Sequence, residues 1–292
     1  MSDEKTVFSK EKTLSFEVFP PKKDDEFASA FEVLDKLSAL KPDYISVTYG
    51  AGGSRAGKTV EICSYIQNKL GITAISHLTT VGASKAGISE TVSSLKKENV
   101  THIMALRGDR PADMTDEAYD SREFEHASDL IAYFRSEEAG DLATGLHFAA
   151  ACYPEKHYEA FSMETDLRNL KLKQDLGAEH FISQLFFDND YFYTFLEKAE
   201  GKGITVPVSA GIMPITSPKQ IGTIVALSGS SIPKQFADII AKYGENADEM
   251  RKAGIDYAIR QIRDLRENGV SHIHIYSMNK PKTTAEIVGG IN

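Results

Sequence analysis

The sequence predicts an α/β protein: a closed (β/α)8 TIM barrel forming one domain over residues 1–292, with an extra helix before the last strand. Three observations carry this reading. Short β-branched or aromatic runs alternate with amphipathic helical stretches along the chain. Eight such runs can be drawn. The length of 292 residues suits eight βα units, and no linker, low-complexity tract or internal repeat divides it. A doubly wound open sheet is the alternative.

The strands are expected at Leu14–Phe19, Tyr44–Thr48, Thr73–Leu78, His102–Leu106, Leu146–Ala151, His180–Phe186, Val206–Ala210 and Ser271–Tyr276. Between them, apolar residues recur at helical spacing. Phe27, Phe31, Leu34, Leu37 and Leu40 mark the first helix; Val60, Cys63, Ile66 and Leu70 the second; Ile88, Val92 and Leu95 the third. Pro42, Gly71, Gly177 and Gly203 each punctuate the chain shortly before a strand. The polar, acidic stretch Arg107–Ala127 reads as a long loop on the functional face. The stretch Ser228–Asp248 contains the added helix, PKQFADIIAKYG.

Composition narrows the function. Hydrophobic content of 41% with 26% charged residues is that of a globular protein. A net charge of -9 with no basic face argues against nucleic acid as a partner. Cys63 and Cys152 stand far apart and suggest neither a disulfide framework nor zinc ligation. The charged N-terminus has no secretory pattern, and no apolar run approaches the ~20 residues of a membrane span. A reduced, cytoplasmic location off the membrane is expected.

A barrel places its chemistry at the carboxyl ends of its strands. Those ends carry Glu17, Thr48, His77, Arg107 with Asp109, Tyr153, Gln184, and Gly211 with Met213. In the first strand, Ser15, Glu17 and Phe19 are expected to face the bore, and Phe16 and Val18 the surrounding helices. A carboxylate inside an apolar strand is costly to bury unpaired, and it suits a catalytic acid whose protonated form is favoured by burial.

Two local motifs compete with this picture. GGSRAGKT, Gly52 to Thr59, fits the phosphate-loop pattern and lies between a strand and a helix, so a nucleotide-binding protein is a rival. It follows the second strand rather than the first, and no later strand ends in an Asp suited to magnesium. A tight βα turn explains the glycines and Lys58 equally. His272 and His274 could share a strand face as metal ligands, but no further ligand is evident, and two hydrogen-bonded histidines are the plainer reading.

The strings SFEVFPPK, ISVTYGAGG, SHLTT, ALRGD, ACYPEKH, SQLFFDNDYF and AGIMPI, in that order, resemble the methylenetetrahydrofolate reductases. The resemblance runs from about Leu14 to the end and fits the short bacterial form. It implies a flavin-dependent barrel that uses FAD and electrons from NADH or NADPH. The implied reaction converts 5,10-methylenetetrahydrofolate to 5-methyltetrahydrofolate by a ping-pong hydride relay, within one-carbon metabolism and methionine biosynthesis. A homo-oligomer is implied as well. Glu17 matches the general acid that opens the folate imidazolidine ring, and Asp109 the aspartate between flavin and folate. Thr48, Tyr49, Ala51, His77, Arg107, Gly108, Asp109, His126, Ala127, Tyr153, His157, Asp166, Asn169 and Lys173 match cofactor-binding positions. Gln184, Gln220 and Lys280 match substrate contacts beside Glu17 and Asp109. Three positions depart from the family: Lys280 and Leu172 stand where Arg is frequent, and Ile224 where an aromatic can stack on ligand. A noncatalytic flavin- or folate-binding barrel is the remaining alternative.

Overall fold

The computed structural model describes residues 6–21, 27–49, 56–111 and 113–291. The parallel strands are β1 (Thr13–Val18), β2 (Tyr44–Val47), β3 (Thr73–Thr79), β4 (His102–Leu106), β5 (His147–Cys152), β6 (Ala178–Ser183), β7 (Val208–Ile212) and β8 (His272–Tyr276). Each pairs with the next, and β8 closes on β1, so the sheet is a barrel rather than the open alternative. The crossover helices are α1 (Phe27–Ser38), α2 (Ala56–Ser64), α3 (Lys85–Lys97), α4 (Asp116–Asp120), α5 (Ala127–Arg135), α6 (Met163–Asp175) and α7 (Asn189–Gly201). They are followed by α8 (Pro218–Ser228), α9 (Lys234–Tyr243), α10 (Ala247–Glu267) and α11 (Pro281–Ile291). Among the described residues, no helix is long and apolar enough to cross a membrane.

Strand alternation produces two separate cores. Outward side chains such as Phe16, Val18, Ile45, Val47, Ile103 and Phe181 pack beneath the helices in one continuous buried layer. Inward side chains fill the bore. Val7 and Phe8, on a 3-10 turn before β1, close its amino-terminal end against Tyr44, Ile75, Met104, Ala149 and Ile182. Phe8 stacks on His180 with ring centroids 5.1 Å apart, and Thr6 bonds His102 at 2.7 Å. The rest of the bore is polar: Ser15, Ser46, His180, Ser209 and His274 are fully buried.

Strand ends differ from expectation where the backbone dictates it. Phe19 does not point into the bore. It lies past the end of β1, is 36% exposed, and its N–H donates to Asn279 Oδ1 at 3.1 Å. β7 begins after Pro207, which lacks the N–H a ladder needs. β6 ends at Ser183, and the N–H of Gln184 closes its last rung on β5 by donating to Cys152 O at 2.8 Å. The Arg107–Ala127 stretch is not wholly loop. Thr115 accepts from Ala118 N–H at 3.2 Å and caps α4, whose first turn carries Asp116 and Glu117.

The added helix is α9. Phe236 stacks on Phe187 at 5.1 Å and joins Leu185, Ile215 and Met250 in a small core outside the barrel. The turn before α9 is tied down from two directions. Ser230 Oγ donates to Leu185 O at 2.7 Å, and Ser231 N–H donates to Glu155 Oε2 at 2.9 Å. These bonds bring the α8–α9 connection against the ends of β5 and β6 and make it a wall of the barrel mouth.

Candidate active site

The mouth opens into a cavity of about 440 Å³. Its wall collects Glu17, Thr48, Tyr49, His77, Arg107, Gly108, Asp109, Tyr153, His157 and Gln184, which are far apart in sequence. Period-two alternation explains the inner ring. Glu17 pairs in register with Ser46 on one side and Tyr276 on the other, so all three face the bore.

Glu17 lies at the cavity floor with its side chain 21% exposed. Its Oε2 is 3.5 Å from His77 Nε2 and 4.0 Å from His274 Nε2. Both imidazole nitrogens are buried and have no hydrogen-bond partner among the described residues. Burial drives the His77 pKa down, against a smaller upward pull from Glu17, so His77 is neutral near pH 7. Tyr276 completes the floor. Its hydroxyl donates to Ser183 O at 2.7 Å, and burial holds the phenol far above its usual range. This placement requires glycine at 211, where a Cβ would stand 2.3 Å from Ser183 O and 2.9 Å from the Tyr276 ring.

Arg107, Gly108 and Asp109 follow β4. Arg107 O accepts from Thr80 N at 3.0 Å and Val81 N at 2.8 Å, locking this turn to the end of β3. Gly108 has φ +83°, and a Cβ there would come within 2.9 Å of Thr79 Cβ, so two independent constraints favour glycine. Asp109 is exposed at the rim. The Arg107 guanidinium pairs with Glu159, one of its bonds measuring 3.1 Å, and this pairing lowers the Glu159 carboxyl to about 2.

A second cavity of about 270 Å³ continues from the first, sharing Arg107, Ala151, Tyr153 and His157 with it. Here His126 and Ala127 at the start of α5 face Asp166, Asn169 and Lys173 of α6. The spacing i, i+3, i+7 does place these three on the cavity side of one helix. Asp166 Oδ2 accepts from His157 N–H at 2.8 Å and so orders the YPEKH turn. Lys173 Nζ donates to Ala151 O at 2.6 Å from a half-buried position, and desolvation lowers its pKa. Tyr153 stands edge-on to His157, centroids 4.6 Å apart.

Two expected substrate contacts stay outside the cavity wall. Gln220 spends its amide oxygen on the α8 cap, accepting from Thr216 N–H at 2.9 Å and Ser217 N–H at 3.0 Å. Lys280 reaches Thr216 Oγ1 at 3.4 Å, so the two share a rim position near Thr216. Ile224 lines the first cavity and Leu172 the second. Ala51, with Gly52–Arg55 of the phosphate-loop pattern, lies outside the described residues. Of that pattern's described part, Thr59 is buried and donates its hydroxyl to Thr48 O at 3.2 Å, at the start of α2. His272 and His274 are hydrogen-bonded, to Thr13 Oγ1 at 3.0 Å and Ser15 Oγ at 2.7 Å. Among the described residues, no group of three or more His, Cys, Asp or Glu could hold a metal ion.

Thr79, Tyr276 and Glu159 join the cavity walls without having been singled out in the sequence. The alternation that selects His77 and His274 also selects Thr79 and Tyr276, two residues on. Nothing local marks Glu159.

A parallel barrel with an acid at its floor and a cleft running from its mouth is an enzyme site of the TIM type. Comparison with known proteins specifies it further. The family model for methylenetetrahydrofolate reductase matches residues 3–292. The 5,10-methylenetetrahydrofolate reductases of Pectobacterium carotovorum and Escherichia coli K12 are each 31% identical, over 94% of this chain and 88% of theirs. Methylenetetrahydrofolate reductase (NADH) 1 of Arabidopsis thaliana is 30% identical over 94% of this chain, which spans only 47% of the plant protein. An uncharacterised Clostridium thermocellum protein that binds two copies of 5-methyl-5,6,7,8-tetrahydrofolic acid shares the fold. Its TM-score is 0.64 at 13% identity, over 96% of this chain and 94% of that one. The chain belongs to the methylenetetrahydrofolate reductase family.

Proposed function

We propose that this protein reduces 5,10-methylenetetrahydrofolate to 5-methyltetrahydrofolate with FAD as its cofactor and NADH or NADPH as electron source. The reading rests on family membership together with one observation: Glu17 is the carboxyl at the floor of a cavity large enough for a folate ring system. The connected cavities suit a long ligand with a flat ring at one end. The second offers Lys173, Asn169 and Asp166 to a nucleotide and its diphosphate, and Arg107 stands between the two. Bound FAD supplies a hydride acceptor for the nicotinamide and a hydride donor for the folate.

The chain's own residues handle the proton and the fit. Glu17 donates a proton to N10 of the folate, which turns that nitrogen into a leaving group and opens the imidazolidine ring to an iminium. The Asp109 carboxylate at the rim stabilises that cation electrostatically. Gln184 reaches the same cavity from β6 and serves both substrates in turn, so one opening admits nicotinamide and folate alternately. His126, Ala127, Tyr153 and His157 shape the nucleotide end, and Thr48, Tyr49, His77 and Gly108 the ring end. Gln220 and Lys280 are assigned to the outer end of the folate from their place at the rim beside Thr216.

Glu17→Gln tests the reading. Nicotinamide-driven bleaching of the flavin should persist, while folate reduction falls by about 10²- to 10⁴-fold, the range for general acid catalysis. Unchanged folate turnover would remove Glu17 from the mechanism. A colourless protein that binds no flavin would remove the cofactor assignment.

A further inference from the structure

The bore beneath Glu17 holds a polar arrangement that acid catalysis alone does not require. His274 is fully buried at the centre of the barrel. Tyr44 lies nearly parallel to it, with centroids 6.0 Å apart, and Tyr276 edge-on at 5.4 Å. Its Nδ1 is 2.7 Å from Ser15 Oγ, and that hydroxyl has a second acceptor in Ile273 O at 3.2 Å. Its Nε2 has no partner among the described residues and points toward Glu17 Oε2, 4.0 Å away. One nitrogen is therefore committed, and the other is aimed at the carboxyl across a gap that a shift of about 1 Å in the Glu17 side chain closes to hydrogen-bond length.

We propose that His274 is a positioning residue for the catalytic proton: the imidazole and the Glu17 carboxyl hold one exchangeable proton between them, and Ser15 selects the nitrogen that takes part. The inference rests on the general-acid reading above. When Ser15 donates to Ile273 O, its oxygen accepts Nδ1–H of His274, which leaves the Nε2 lone pair facing Glu17. The Glu17 O–H then donates to that lone pair. On transfer to the folate, the O–H bond breaks, an N–H bond forms at N10, and a carboxylate remains beside a neutral imidazole. The pair regains one proton from water at the mouth as the ligands exchange. One proton per turnover is what the reaction consumes beside its hydride.

Four further titratable groups surround this proton, and among them His77, whose unpartnered Nε2 is 3.5 Å from Glu17 Oε2, is the competing acceptor. His77 on β3 and His180 on β6 are kept neutral by burial, the latter lowered to about 3. Tyr44 on β2 is raised to about 12 and Tyr276 on β8 well above its usual value, so both phenols keep their protons. An arrangement meant only to fill space would not leave a buried nitrogen directed at a carboxyl.

The test uses flavin-free protein with ¹⁵N-labelled histidine, whose imidazole signals report tautomer and charge. His274 is assigned by loss of its signals in His274→Asn. The expected result is a neutral His274 held as the Nδ1–H tautomer, with its Nε2 signal displaced by the hydrogen bond it accepts. Glu17→Leu, which offers no donor, should return the Nε2 signal to that of an unbonded lone pair. Ser15→Ala should shift the tautomer population toward Nε2–H. In the flavin-loaded protein, Ser15→Ala should slow folate reduction about tenfold and move its pH profile, with flavin bleaching unaffected. An Nε2–H tautomer, or an Nε2 signal that ignores Glu17→Leu, overturns the proposal. Because Glu17 is partly exposed at the mouth, its Leu variant supplies this readout even if Ser15→Ala does not fold. If Glu17→Gln abolishes folate reduction while the His274 signals ignore Glu17→Leu, Glu17 remains the acid and only the sharing is wrong.

Discussion

Acid should destabilise this barrel through two histidines in its bore. His102 bonds Thr6, and His180 bonds Ser209 at 2.8 Å while stacking on Phe8. Burial lowers each pKa from 6.5 to about 3, helped by His147 near His102 and by His272 and His274 near His180. In the unfolded chain both protonate near 6.5. Between pH 6.5 and 3 the unfolded state therefore binds more protons, and stability is lost as pH falls through that window. At about 1.4 kcal/mol per pH unit, each histidine costs roughly 2 kcal/mol at pH 5, about 4 kcal/mol for the pair. That is a large share of a typical net stability of about 5–15 kcal/mol. Urea unfolding of wild type and of the His102→Asn, His180→Asn double variant at pH 7 and pH 5 checks it. The variant starts less stable, having lost packing, but its fall between the two pH values should be smaller by about 4 kcal/mol. Carboxylates contribute to both proteins alike and cancel in the comparison. Equal falls would refute the assignment of buried neutral histidines.

Two further outcomes follow from the cavity walls. Gly211→Ala forces a Cβ against Ser183 O and the Tyr276 ring, so thermal unfolding should show a loss of about 1–3 kcal/mol, and folate binding should weaken as the floor shifts. Tyr276→Phe, which removes the bond to Ser183 without the clash, should cost less than Gly211→Ala. Glu159→Gln frees Arg107 from its carboxylate partner, and FAD titration by fluorescence quenching should show binding tighter by about two- to fivefold, the worth of an exposed ion pair. Weaker FAD binding would instead make Glu159 a support for Arg107.

The strands were legible because parallel barrel strands are buried on both faces and read as short apolar runs. Glu17 was visible as the exception within such a run. Boundaries slipped where one backbone group decides: Pro207 delays β7, and Asn279, over two hundred residues away in sequence, takes the hydrogen bonds of Phe19 that would have extended β1. Asp166, Asn169 and Lys173 meet Tyr153 and His157 across one cavity, whereas the i, i+3, i+7 spacing alone fits any helix face. By contrast, the Glu17–His77–His274 grouping joins strands β1, β3 and β8, and only barrel closure brings the last beside the first. Glu159 was invisible for a related reason, since its meaning depends on Arg107, fifty-two positions earlier in the chain.

The small turn bearing Val7 and Phe8 also governs traffic. Among the described residues, those side chains stopper the cylinder's base. Under the proposed function, incoming nicotinamide, outgoing product and the next folate all queue at the barrel mouth. A surplus of either substrate then obstructs the other, and the rate of turnover becomes a matter of who vacates the threshold first.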